Sequence, residues 1–147
     1  MRYFSLALMA PALCACTATG PLFTPAPLPG GKAIVYIYRI KPGDGLSARD
    51  AHFYLDDKHA FDLTPDGYSY VVLSPGKHIL REEWSWDVVG GKTIEFPLEV
   101  KAGETWYYRF VVETGVNGQP GWHWFLRRVP PSIGENEIST KHLQAPD

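Results

Sequence analysis

Five histidines, two close tryptophan pairs and two cysteines carry most of the chemical potential of this 147-residue chain. The histidines are His52, His59, His78, His123 and His142. No two stand at the short spacing by which one element presents a pair of metal ligands, and no cluster of Asp or Glu joins them. His52 and His59 flank a short strand and turn, so the fold can bring them together. Solvent-facing or core-rim positions are nevertheless the expectation, with no metal and no cofactor. Ser74, His78 and Asp87 are the residue types of a nucleophilic triad, but no Gly-x-Ser-x-Gly elbow surrounds the serine. Glu82 and Glu83 are neighbours on a predicted strand and point to opposite faces, so they do not make a general acid/base pair. These patterns point away from an enzyme. Trp84-Ser85-Trp86 and Trp122-His123-Trp124 each place two indoles on one strand face. Trp122 and Trp124 are expected in the core. Trp84 and Trp86 follow the charged run Arg81-Glu82-Glu83, which suits a rim position and a surface for sugar rings or a protein partner, with the core as the alternative.

The cysteines are Cys14 and Cys16, both in Leu13-Cys14-Ala15-Cys16 behind an apolar run that starts after Arg2. An aliphatic residue three before, and a small residue just before, a cysteine is the pattern of a bacterial lipoprotein signal. Cys16 is then the lipidation site and residues 1–15 the cleaved signal. The apolar stretch is far short of the roughly 20 residues of a spanning helix. Cleavage removes Cys14 and lipidation uses Cys16, so no thiol remains for a disulfide, a zinc site or a nucleophile. Two or more acyl chains anchor a protein stably where one does not. Thr17 stands where an aspartate would signal inner-membrane retention. By resemblance to Gram-negative lipoproteins, the expected location is the periplasmic face of the outer membrane.

With Arg2 removed, 13 basic side chains face 16 acidic ones, a balance too mild for a nucleic-acid partner. Residues 16–32 contain Pro21, Pro25, Pro27 and Pro29, then Gly30-Gly31, and read as an extended lipid tether whose role is reach. Residues 33–131 form one domain. Ala33 to Arg39 is nearly all apolar, as a strand buried on both faces would be. Short strands follow, separated by turn chemistry at Asp56-Asp57-Lys58, Pro65-Asp66-Gly67, Pro75-Gly76-Lys77, Ala102-Gly103-Glu104 and Asn117-Gly118. Ile94, Phe96, Leu98 and Val100 alternate with polar positions, and Pro97 marks an edge. Trp106, Tyr108, Phe110 and Val112 share one face. After Pro130-Pro131, Ser132 with Glu135 can cap a short helix through Leu143, with residues 132–147 as helix and tail. With aromatics at 14% of the chain and turns at regular spacing, the fold expected is all-β. It is a small antiparallel β-sandwich of about seven or eight strands with a short C-terminal helix.

Four stretches together resemble a bacterial lipoprotein family known only as domain-of-unknown-function family 2846. They are Ala33 to Arg39, Phe53-Tyr54-Leu55-Asp56, Gly67 to His78 with its Ser-Pro-Gly-Lys-His turn, and Ala102 to Arg109. The resemblance spans roughly Lys32 to Val129, and similar turns occur in small surface β domains of the PEGA type. It implies a β domain and a lipoprotein habit, and brings no catalytic residues. The function expected is a lipid-anchored accessory protein of the cell envelope that contacts an envelope protein. The alternative is a glycan or peptidoglycan binder using Trp84 and Trp86.

Overall fold

The computed structural model describes residues 17–40, 49–84, 93–115 and 121–146. Their nine strands lie in two sheets, as expected for a small all-β sandwich. The strands are β1 Ala33–Arg39, β2 Ala51–Leu55, β3 Lys58–Leu63, β4 Gly67–Leu73, β5 Gly76–Trp84, β6 Ile94–Val100, β7 Thr105–Thr114, β8 Trp122–Val129 and β9 His142–Leu143. One sheet has the order β8-β7-β1-β4-β9, the other β3-β2-β5-β6. Pro97 lies on the edge strand β6, where its missing N–H interrupts no ladder on the open side. The sheets are not purely antiparallel as expected: β1 runs parallel to β7, and β4 parallel to the two-residue β9. Short hairpin turns signal antiparallel neighbours, whereas a parallel pair between distant segments has no local signature.

Alternation explains the core. Ala33, Val35 and Ile37 of β1 face the second sheet with Phe53, Phe61, Leu80, Leu98, Val100 and Phe110, and Trp106, Tyr108, Ile94 and Phe96 pack at its margin. Every residue of β1 is buried, so the strand has a second apolar face. Ile34, Tyr36 and Tyr38 point away from the sandwich and join Tyr68, Tyr107 and Ile138 in a separate cluster. Tyr36 stacks on Tyr107 at 5.2 Å between ring centroids.

That second face is covered by the two ends of the chain, which changes the reading of residues 16–32. The Pro-rich segment does not stand off the domain as a spacer. Phe23 packs edge-on against Tyr36 and Tyr68, at 5.3 and 5.2 Å. Its backbone N–H donates to Lys141 O at 3.1 Å, and Ala26 N–H donates to the Tyr36 hydroxyl at 2.8 Å. Leu22 forms an isolated bridge with His142. Proline keeps the segment extended, as expected, but the uncovered tyrosine face of β1 gives it somewhere to bind.

The C-terminal helix, α1, spans Pro131–Ile138 and is shorter than expected. Ser132 does not cap it; Pro131 occupies the first helical turn, whose lost N–H needs no partner there. Gly134 lies so close to Tyr107 that a Cβ would come within 2.4 Å of its ring. Glu137 accepts from Arg109 Nε at 2.9 Å and also from Arg109 Nη2 and the Tyr38 hydroxyl, clamping helix to sheet. No helix among the described residues is long and apolar enough to cross a membrane.

Replacing Phe23 with alanine separates a docked segment from a spacer. The docked arrangement predicts a loss of about 2–3 kcal/mol in urea unfolding, because a partly buried ring is removed from an aromatic cluster. An unchanged midpoint would show that the segment contributes nothing to the fold.

Candidate functional site

Three places in the fold carry unusual side chains: one end of the sandwich, the β8 edge, and the outer face of the β2–β3 hairpin. Cys16 lies outside the described residues, but Thr17 and Ala18 do not. Ala18 is only 8% exposed and its N–H donates to Pro65 O in the β3–β4 turn at 3.2 Å. By register, that turn lies at the end of the sandwich where β1 and β5 finish and β2 begins: Ala51 pairs with both Leu63 and Trp84, and Tyr38 with Tyr68.

At this same end the expected binding surface is corrected. Trp84 is not a rim residue but is 9% exposed, wedged between the sheets. Its ring meets Trp124 edge-on at 5.6 Å and Phe110 at 6.0 Å, and the Arg39 guanidinium carbon sits 5.4 Å from its centroid. The reason is period two. Leu80, Glu82 and Trp84 share the inward face of β5, and the charge of Arg81-Glu82-Glu83 disguised that face as solvated. Trp86 lies outside the described residues. Trp124 is buried as expected; the side chain of Trp122 is not described.

Sequence reading missed Arg39 and Glu82 as core residues, both fully buried. Their positions in the inward alternation of β1 and β5 were the available signal. Burial pushes the Glu82 carboxyl up to about 8; the facing Trp124 indole and the Arg39 charge oppose this without overcoming it. Neither Glu82 oxygen nor the Trp124 indole nitrogen closes a hydrogen bond of ordinary geometry among the described residues. Arg39 donates from Nη1 to Arg49 O at 2.5 Å. Glu83 points to the other face, as neighbours on a strand must.

The triad residues do not assemble. His78 bonds the backbone carbonyl of Ser74 at 2.9 Å, not its hydroxyl, and shares its other nitrogen with Asp56 at 2.7 Å. The Ser74 hydroxyl accepts from Lys32 Nζ at 2.9 Å. Asp87 lies outside the described residues. Gly76 has φ +132, so the Pro75-Gly76-Lys77 turn uses its glycine for the backbone.

The four edges differ. β9 has two residues, β6 carries Pro97, and β3 is bent by a bulge. β8 pairs with β7 over eight consecutive positions without a register shift, and its other side has no strand partner among the described residues. Arg127 and Arg128 are exposed on it. The Arg128 guanidinium lies 3.7 Å from the Trp106 ring centroid, while Arg127 reaches Glu113 at 3.8 Å.

On the β2–β3 hairpin, His52 and His59 do meet, and on one atom. His52 Nδ1 lies 2.6 Å and His59 Nε2 2.8 Å from the same Asp62 oxygen, Oδ1. Asp62 was not singled out from the sequence, although it stands directly opposite His52 in the register. Burial alone would raise the Asp62 carboxyl; the two imidazoles outweigh it and hold the group below its ordinary value.

No family model matches this chain, and a search of curated proteins finds no similar one.

Glu82 sets a pH dependence whose sign follows from its position. Below about pH 4.5 folded and unfolded chains both hold the proton, and the contribution to stability is complete. Between there and about 8 the unfolded chain gives up the proton that the folded chain keeps, so stability falls as pH rises, by up to a few kcal/mol. Glu82→Gln stays neutral throughout and is expected to flatten this decline in urea unfolding at about pH 5, 6.5 and 8. Equal slopes in both proteins would mean that the carboxyl is ionised in the fold.

Proposed function

We propose that this chain is a lipid-anchored accessory protein on the periplasmic face of the outer membrane, and that it acts by binding an envelope protein rather than by catalysis. The anchor reading rests on Leu13, Ala15 and Cys16, and the resemblance to lipoprotein family 2846 points the same way. Since Ala18 is docked on the β3–β4 turn, Cys16 is at most about 7 Å of chain away from the folded domain. A lipid on Cys16 therefore holds the domain against the headgroups, with the β3–β4 turn facing the membrane and the far ends of β8 and β6 toward the periplasm.

The single observation that carries the binding reading is the β8 edge. Natural sheets blunt exposed edges, and three of the four here are shortened, bent or proline-bearing. β8 is long and regular, and offers a row of backbone donors and acceptors beside two arginines. The partner it fits is an extended segment of an envelope protein that adds as a strand and carries acidic side chains opposite Arg127 and Arg128. With Trp84 inside the sandwich, the glycan reading has lost one of its two rings and has no further observation in its favour.

In the lipidated chain, a photo-crosslinking residue at position 127 is expected to give a discrete adduct with one envelope protein. The same residue at Glu99, on the opposite sheet, is expected to give none. Arg128→Glu should reduce the adduct several-fold, and Cys16→Ala should move the protein from the membrane to the soluble fraction. Equal adducts from both positions, or none from 127, would remove β8 as the interface. A Cys16→Ala variant that stays on the membrane would remove the anchor.

A further inference from the structure

We propose that His52, His59 and Asp62 form a three-ligand site for an imidazole-preferring divalent cation of the zinc type, on the outward face of the β2–β3 hairpin. The donor set is two imidazoles and one carboxylate, which first-row ions such as Zn2+ and Cu2+ accept. The three ligand atoms all lie within 4.8 Å of one another. Around a tetrahedral zinc, ligand atoms stand about 3.3 Å apart. The imidazole nitrogens, now 2.6 and 2.8 Å from Asp62 Oδ1, need to open by about 0.7 and 0.5 Å to admit the ion. These side chains have room to move, being 30%, 35% and 47% exposed. Each imidazole then presents a lone pair at the nitrogen that faces Asp62 and carries its proton on the other one.

The backbone is shaped for this convergence. In a regular strand, residues three apart point to opposite faces, so His59 and Asp62 would be separated by the sheet. The register instead shifts between Phe53 and Tyr54: Phe53 pairs with Phe61, and Tyr54 with His59, leaving Ala60 as the extra residue. That bulge turns His59 onto the outer face beside Asp62, while Phe61 and Leu63 stay in the core. Bulges re-aim side chains in this way beside functional sites. Closing the hairpin does not require it, because Asp56 and Asp57, with φ of 47 and 65, make a two-residue turn that sets the register by itself.

The surroundings suit a cation. Glu83 stands across the ladder from His52 on its other side. The Tyr54 ring meets His59 edge-on at 5.3 Å. Three protein ligands leave a fourth position for water or another donor. His59 and Asp62 open onto a cleft of about 420 Å³ also lined by Thr17, Thr19, Thr64 and Gln144. This site stands apart from the β8 edge and does not depend on the partner proposed there.

The test is calorimetric titration of the full lipidated chain, in detergent and without a histidine tag, using Zn2+ alone. The expected result is saturable binding of about one Zn2+ per chain, weakened at least about tenfold in His52→Ala and in His59→Ala, and unchanged in His78→Ala. With Cu2+, electron paramagnetic resonance should show two nitrogen ligands in the parent protein and one in either variant. Absence of saturable binding, or equal affinity and an unaltered copper spectrum in both variants, would overturn the site. Should His52→Ala not fold, His59→Ala and Asp62→Asn decide the question, since both lie on the exposed face.

Discussion

The structure depends on burying both faces of β1. A strand in a two-sheet sandwich has one face in the core and one in water, but β1 carries apolar or aromatic side chains on each. Tyr36 and Tyr38 can lie inside only if a third layer covers them. That layer is made from the proline-rich entry segment and the short α1 with its tail. Their contacts are aromatic and polar together. Tyr36 is stacked on Tyr107, edged by Phe23, and hydrogen-bonded through its hydroxyl to Ala26. A tyrosine layer of this kind suits a cover built of irregular chain, because its polar tips meet a backbone group, as Tyr36 does at Ala26, or a carboxylate, as Tyr38 does at Glu137.

Most of the sandwich was legible because its signals are local. Alternation in β6 and β7 placed Phe96, Leu98, Phe110 and Val112 inward, Pro97 marked an edge, and the continuous apolar run of β1 announced a doubly buried strand. What escaped were features decided by partners far along the chain. Proline-rich composition describes a segment's stiffness and says nothing about whether a tyrosine face awaits it. The parallel pairing of β1 with β7 has no turn to advertise it.

The candidate sites were hidden for related reasons. Charge at Glu82 masked an inward position, so rim and core both stayed open for Trp84, although the strict period of β5 puts it inside. His52 and His59 were seen, but their convergence on Asp62 depends on one extra residue, Ala60, in a ladder. A bulge leaves little trace in composition, and without it the two histidines would stand on opposite faces. Cys16 is the opposite case: its reading rests on adjacent residues alone, so it needs no fold to be made.

The closing of the third layer also sets an order in time. Residues near the start of the chain, Pro21 to Phe23, are held by residues near its end, Lys141 to Leu143. β1 likewise takes one neighbour, β7, from some seventy positions later. Such distant pairings fold slowly, since loop closure must precede the contacts that reward it. The first strand therefore cannot gain both neighbours until β7 is available, nor be covered until α1 and Lys141 to Leu143 are. A chain released progressively into a new compartment would stay open until synthesis and passage were finished.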